Sequence, residues 1–274
     1  MTVTLPDTHR LGELSWTQVK HLAAQDPVVL LPIGAIEQHG PHLPVHEDSI
    51  VAEWVADRLA REHGYWVAPA LNYGHSGTFR GYAGNLSLSQ ATLRNVTYEI
   101  IQALVASGFR RIVIVDNNGG NVGPVTGASL DARRDFGVLI GHLYPWQLGY
   151  ALMRDVYDDA ATAYGHGAEP EHSAMLAMFP EQVQSELAEP GGLASDDGWK
   201  PTSYTDAAIP GYDVPGTVLW DFSEVSPTGC TGDVSLGSAR TGEIWIERVL
   251  GFCAAYLREY EANTRDTAAA AGTR

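Results

Sequence analysis

The stretch Val28-Val29-Leu30-Leu31-Pro32-Ile33-Gly34-Ala35-Ile36-Glu37-Gln38-His39-Gly40-Pro41-His42-Leu43-Pro44-Val45-His46-Glu47-Asp48 decides how this chain is read. It opens on a continuous apolar run that closes at Gly34. A run of that kind predicts a strand buried on both faces, as in a parallel sheet. A polar, proline-stiffened loop follows. Beyond it, Ile50, Val51, Trp54, Val55 and Leu59 fall on one stripe at helical spacing over 49–62. Strand, polar loop and helix in that order predict an α/β unit with its loop at the carboxyl end of the strand, where open parallel sheets bind ligands.

The alternation continues outward. Ile112–Val115 is a second buried run, Val138-Leu139-Ile140 a third, and Tyr65-Trp66-Val67-Ala68 a weaker fourth. Helical period returns over 89–107, with Ser89 placed to cap its start and Gly108 to follow its end, and again over 241–257. The fold class is therefore α/β with a mostly parallel core sheet, and the 274 residues are expected to form a single domain. Residues 187–217 are rich in Gly, Pro, Asp and Ser, and are expected to be a long irregular loop serving as a lid, pocket wall or subunit contact. Residues 259–274 are expected to fray, because TRDTAAAAGTR offers no apolar face to dock.

Composition excludes several function classes. With 33 acidic against 17 basic residues the net charge is −16, which argues against nucleic acid as a partner. Two cysteines, Cys230 and Cys253, are too few for a disulfide framework or a thiolate zinc site, and Cys253 falls on an apolar stripe as a packing residue. The N-terminal residues lack the pattern of a secretory signal, and no run reaches the length of a membrane span. The expected setting is cytoplasmic, with no membrane partner.

The chemistry concentrates in four segments. Glu37, His39, His42, His46, Glu47 and Asp48 place six imidazoles and carboxylates in twelve positions without a lysine or arginine. That donor set suits a borderline divalent cation, zinc first and manganese or iron next. Asp116-Asn117-Asn118-Gly119-Gly120-Asn121 follows the second strong strand, and its glycines allow close approach of backbone to ligand. His166-Gly167 leads to Glu171 and His172, in the first turn of a helix that Pro170 opens. His75 and Ser76, in a Gly-rich loop, are candidates to face the same site. No GxSxG elbow and no phosphate-binding P-loop is present.

Together these segments resemble the creatininase (creatinine amidohydrolase) family. Gly34 to Pro44, followed by Asp48, resembles its G-x-x-E-Q-H-G-P-H-L-P…D signature. Leu71–Ser76 with Gly84–Leu88, Asp116–Asn121, His166-Gly167 with Glu171–Ser173, and Gly229–Asp233 resemble its later blocks, so that the likeness covers about residues 10 to 258. The resemblance implies a β-α sandwich, assembly as a homo-oligomer, often a hexamer, and metal-dependent hydrolysis of C–N bonds. It further implies that Glu37, His39, Asp48 and Glu171 bind one or two metal ions, with Asp48 between them, and that His166 belongs to the site. There are departures. The family's metal-binding histidine of N-G-H-G-G-N is Asn118 here, a poor zinc ligand. His46 and Glu47 replace small and hydroxyl residues, His172 replaces the threonine of E-T-S, and Asn85 stands where threonine is usual.

The expected activity is thus hydrolysis of a cyclic amide, formamide or similar C–N bond in a small polar metabolite. His166, Glu171 and His172 are the catalytic candidates, and Glu37, His39, Asp48 and Glu171 the ligands, with His46 a candidate replacement ligand. His75, Ser76, Asn118, Gly119 and Gly120 are expected against the substrate. Two other readings are a remodelled site with different chemistry (ring closure, C–O or C–C hydrolysis, isomerisation) and a metal-free binding or assembly protein.

Overall fold

A computed structural model describes residues 3–270 of the chain, over 265–270 by backbone alone. In chain order the elements are α1 (Trp16–Ala23), β1 (Val28–Ile33), α2 (Glu47–His63), β2 (Trp66–Val67), α3 (Gln90–Ala106), β3 (Arg111–Asp116), α4 (Val122–Phe136), β4 (Ile140–Leu143), α5 (Pro145–Leu152), α6 (Ala160–Ala163) and α7 (Glu171–Met178). There follow β5 (Asp206–Ala207), β6 (Gly216–Thr217), α8 (Phe222–Val225) and the long α9 (Ala239–Ala270).

The core sheet has the order β2-β1-β3-β4 and is parallel throughout, with Leu30 opposite Val113 and Val113 opposite Gly141. Alternate residues of β1 enter two apolar layers. Val28 and Leu30 face Val51, Val55, Leu59, Trp146, Trp245 and Val249, on α2, α5 and α9. Val29, Leu31 and Ile33 face Leu22, Ile101, Val125 and Ala132, on α1, α3 and α4. Burial on both faces is why β1 and β3 read as unbroken apolar runs. Ser89 caps α3 as expected, its hydroxyl accepting the Thr92 N–H at 3.1 Å, and Gly108 takes φ +105° beyond its end.

Because every strand runs the same way, all four carboxyl ends open on one edge. The loops leaving β1, β2, β3 and β4 carry residues 34–46, 68–89, 117–121 and 144, and they meet there.

Three expectations change. The third strand is Ile140–Leu143 and not 138–140; it contains Gly141 and His142 because it is an edge strand that need not be apolar throughout. Residues 187–217 carry the small antiparallel pair β5–β6 and bring Tyr204 and Ala207 against Phe79, Trp220 and Phe222. Helix α9 runs on through Ala270, so a helix stands over 259–270 where a loose tail was expected. The Tyr260 hydroxyl accepts the Ile112 N–H at 3.2 Å and lies 3.0 Å from the Ile112 carbonyl, and Thr264 is buried. Residues 271–274 lie outside the described residues.

Candidate metal centre

The site begins where β1 ends. The chain leaves Ile33, and Glu37, His39 and Gln38 are all buried before α2 starts. His46 is the residue ahead of α2, so Glu47 and Asp48 are its first two helical positions, at the positive end of the helix dipole. Both are buried. His39 Nε2 stands 3.0 Å from Glu47 Oε2, 3.6 Å from Asp48 Oδ1 and 3.9 Å from Glu37 Oε1. Glu171, at the start of α7, joins from the far side: His39, Glu47 and Glu171 offer donor atoms within 4.8 Å of one another, as do Glu37, His39 and His166.

Asp48 and Glu171 are held by hydrogen bonds. The Trp146 indole N–H donates to Asp48 Oδ1 at 3.1 Å. The Tyr150 hydroxyl donates to Glu171 Oε1 at 3.0 Å, and the Gly167 N–H to Oε2 at 2.7 Å. Gly167 has φ +70°, and a Cβ there would stand 2.8 Å from the His39 carbonyl oxygen, so glycine is required. Neither Glu47 oxygen accepts a hydrogen bond.

Asn118 is bound into the carboxylates. Its Nδ2 donates to Glu37 Oε2 at 2.6 Å and to Asp48 Oδ2 at 2.9 Å, while its Oδ1 accepts the Asn121 N–H at 3.2 Å. A carboxylate can only accept and an N–H can only donate, so this network fixes the amide orientation. Asp116, buried at the end of β3, accepts from Asn121 Nδ2 at 2.9 Å and from the Asn118 N–H at 3.3 Å, and so anchors the loop.

Crowding shapes the protonation. Burial, then repulsion from Asp48, raises the Glu37 carboxyl to about 8. Burial raises Glu171 to about 7 and Glu47 well above the usual carboxylate range. Burial alone would lower His39, but Glu47 and Asp48 overturn it and hold the imidazole well above its ordinary value. Burial and the neighbouring His39 push His166 well below its own. His166 Nε2 lies 2.6 Å from the Gln38 carbonyl and its ring stacks on Phe79 at 4.4 Å. A carbonyl needs a donor, so Nε2 carries the proton and Nδ1 the lone pair.

The centre lies in the wall of a cavity of about 380 Å³. Glu37, His39, Asp48, His75, Ser76, Asn118, Gly119, Gly120, His166 and Glu171 line it. The two glycines differ in purpose. A Cβ on Gly119 would meet the Tyr144 hydroxyl at 3.0 Å, inside the cavity, whereas a Cβ on Gly120 would strike the His75 carbonyl oxygen at 2.0 Å, where two loops cross.

Two expected residues fall elsewhere. His46 is half-buried ahead of α2 and joins neither donor group; the helix start puts Glu47 in its place. His172 turns away from the cavity: its Nδ1 meets the Val234 carbonyl at 3.0 Å and its ring packs edge-on against His42. Sequence reasoning left Glu47 out of the ligand set and missed Trp146, Tyr150 and Phe79. Trp146 carried a signal, since it directly follows the end of β4. Of the aromatics in 187–217, Tyr204 reaches the cavity, whereas Trp199 and Tyr212 are exposed.

Fold and site define an α/β protein with a buried imidazole–carboxylate centre at the carboxyl edge of a parallel sheet. The chain belongs to the creatininase family: the family profile, creatinine amidohydrolase, matches residues 12–257. The creatinine amidohydrolase of Pseudomonas putida is 29% identical over 270 residues, covering 91% of this chain and 96% of that protein. A mycofactocin precursor peptide peptidase of Mycobacterium tuberculosis is 32% identical over 197 residues, covering 67% and 71%. A solved creatininase, the Mn form, superposes with a TM-score of 0.72 at 27% identity, over 92% of this chain and 98% of its own. Another solved creatininase is of Zn–Zn type.

Proposed function

We propose that this creatininase-family hydrolase uses a divalent cation to hydrolyse an amide C–N bond, cyclic, formyl or similar, in a small neutral or cationic metabolite. The observation that carries the reading is the convergence of Glu37 and His39, from the β1–α2 connection, with Asp48 and Glu171, from the first turns of α2 and α7, in the lining of one cavity. The residues present fit a cation: buried carboxylates crowd one imidazole, Glu47 has no hydrogen-bond donor, and the donor set is imidazole and carboxylate without thiolate. His39, Asp48, Glu47 and Glu171 would hold it. When bound, the ion supplies Lewis-acid activation of water and of the amide carbonyl.

The chain supplies the rest. His166 is neutral and presents Nδ1 as the proton acceptor, and it can return that proton to the departing nitrogen. Phe79 fixes its ring by stacking. Tyr144 and Tyr204, near Gly119, give the cavity an aromatic wall with hydroxyl groups for a polar substrate. Among the described residues the lining holds no lysine or arginine to pair with a carboxylate or phosphate group of a substrate.

The test is metal analysis of the purified protein with a screen of creatinine, formamides, small lactams and short peptides. Turnover of a small amide that needs added zinc or manganese supports the reading. Metal-independent activity, or no metal bound, overturns it. Asn118 favours one second reading, that the same centre performs other chemistry such as ring closure, C–O or C–C hydrolysis or isomerisation; turnover of a non-amide substrate alone would establish it. A homo-oligomeric, cytoplasmic protein is part of the proposal, and light scattering checks the assembly. Among the described residues no helix is long and apolar enough to cross a membrane.

A further inference from the structure

The centre is asymmetric. On the side of Glu37 and Asp48 the Asn118 amide already occupies the space between the two carboxylates, 2.6 and 2.9 Å from their oxygens. On the other side the group among the carboxylates is the His39 imidazole itself, 3.0 Å from Glu47 and 3.6 Å from Asp48, and no amide stands there. Glu47 is fully buried there, its Oε2 3.0 Å from His39 Nε2, and neither of its oxygens accepts a hydrogen bond. A buried carboxylate in that state is costly unless a cation completes its surroundings. His39, Glu47 and Glu171 offer donor atoms within 4.8 Å of one another; Glu37, His39 and His166 do so as well, but there Glu37 already receives the Asn118 amide and His166 Nε2 is bound to the Gln38 carbonyl.

From this asymmetry we infer that the chain holds a single divalent cation, ligated by His39, Glu47 and Glu171 with Asp48 Oδ1 beside them, and that the Asn118 amide stands in place of a second ion. The inference rests on the metal-dependent reading above and adds Glu47 as a ligand. The amide is covalently part of the chain, is oriented by the Asn121 N–H, and cannot be displaced as a proton or water would be. Each carboxylate oxygen that receives it has one lone pair committed. An ion entering between Glu37 and Asp48 would have to expel the amide from both and leave a buried donor unpaired.

The test loads the full chain with Mn²⁺ after chelator treatment, removes excess ion, and measures ions per chain together with the Mn²⁺ electron paramagnetic resonance spectrum. The expected result is one ion per chain with the six-line spectrum of an isolated Mn²⁺. Two ions with an exchange-coupled spectrum would overturn the single-ion inference and leave the hydrolase reading standing; no bound ion would overturn both. Glu47→Gln, read by calorimetric titration with Mn²⁺, should weaken binding by about tenfold or more, the scale of loss when support of a metal ligand is removed. Binding within about twofold of the unaltered protein would show that Glu47 only pairs with His39. If Glu47→Gln does not fold, Glu47→Asp retains the charge on a shorter arm and should still weaken binding, with the same twofold limit. Asn118→His should raise the stoichiometry towards two; a value that stays at one refutes the assignment of the amide as the substitute for an ion.

Discussion

Asn118→Ala is the sharpest single perturbation of the centre, because one NH₂ group serves two buried carboxylates. A hydrogen bond to a charged group contributes about 1.5–3 kcal/mol. The cost of losing this donor depends on how many charges it faces, and so on pH. Glu37 holds its proton below about 8 in the metal-free protein. At pH 6, with Glu37 neutral, the substitution removes one charge-assisted bond, worth about 2 kcal/mol. At pH 9, with Glu37 ionised, it removes two and leaves Glu37 and Asp48 repelling each other without a shared donor, a loss of about 4 kcal/mol. A chain of 274 residues unfolds with an entropy of about 0.6 kcal/mol/K. The melting temperature should therefore fall by about 3 °C at pH 6 and about 7 °C at pH 9, relative to the unaltered protein at the same pH. Calorimetry or thermal melts in the presence of a chelator measure both values. Equal shifts at the two pH values, or a larger shift at pH 6, would refute the reasoning, since either would mean that Asn118 does not stabilise the ionised pair.

Three further outcomes follow from the same geometry. Glu37 at about 8 and Glu171 at about 7 mean that the metal-free protein binds protons that a cation must displace. Loading at pH 6.5 should release at least about one proton, and affinity should rise with pH up to about 8, roughly tenfold per unit for each proton displaced; calorimetry in buffers of different ionisation enthalpy reads this, and pH-independent affinity would contradict it. His166→Ala should lower kcat by about 10²–10⁴ on whichever amide the protein turns over while leaving metal content unchanged, because Nδ1 is assigned to the proton and not to the ion; an unchanged kcat removes it from that role. Tyr260→Phe should cost about 1–2 kcal/mol in a denaturant melt, because the hydroxyl ties α9 to the backbone of Ile112; no change would return the last turns of α9 to the status of a loose tail.

The parts of the fold that were legible are those whose burial is local in sequence. Val28–Ile33 and Arg111–Asp116 are buried along their whole length, so their apolar runs show without knowledge of partners. The edge strand Ile140–Leu143 pairs with β3 alone, and its glycine and histidine masked it. In the last part of α9 Tyr256, Tyr260 and Thr264 recur at helical spacing, and Tyr260 both packs on the core and binds the backbone through its hydroxyl, a mixed contact that a search for an apolar stripe does not find. Glu47 was partly legible. Once the helix is started at Glu47, that residue, Val51 and Val55 lie on one buried stripe, whereas His46 precedes the helix. The helix start is the least visible boundary in a sequence, and a shift of one residue exchanges the buried Glu47 for the half-buried His46. Tyr204 lay in the 187–217 stretch expected as a lid, pocket wall or subunit contact, but its contact with Phe79 spans more than a hundred residues and is set by α8 and the β5–β6 pair.

The departures from the family pattern also have a physical connection. Four carboxylates, Glu37, Glu47, Asp48 and Glu171, face one imidazole, and a buried group of that charge must be neutralised by something. Protons, an amide and a cation are three means to the same end, and they differ in how readily they leave. Protons on Glu37, Glu47 and Glu171 leave as a cation arrives; the Asn118 amide does not. Exchanging a histidine for Asn118 therefore does more than delete a ligand, because it supplies a permanent partial positive charge between two carboxylates. Placing Glu47 behind His39 does the reverse and adds negative charge where the ion remains. Taken together the two changes move the centre's demand for a cation from the Glu37–Asp48 side to the His39 side. Each alone would unbalance the site: Glu47 without the amide adds repulsion to an already crowded pair, and the amide without Glu47 leaves the remaining ion one anionic ligand poorer. The double variant Glu47→Gln, Asn118→His should accordingly bind Mn²⁺ more tightly than the loss from Glu47→Gln alone would allow, and a double-mutant cycle in metal affinity that is additive would separate the two positions.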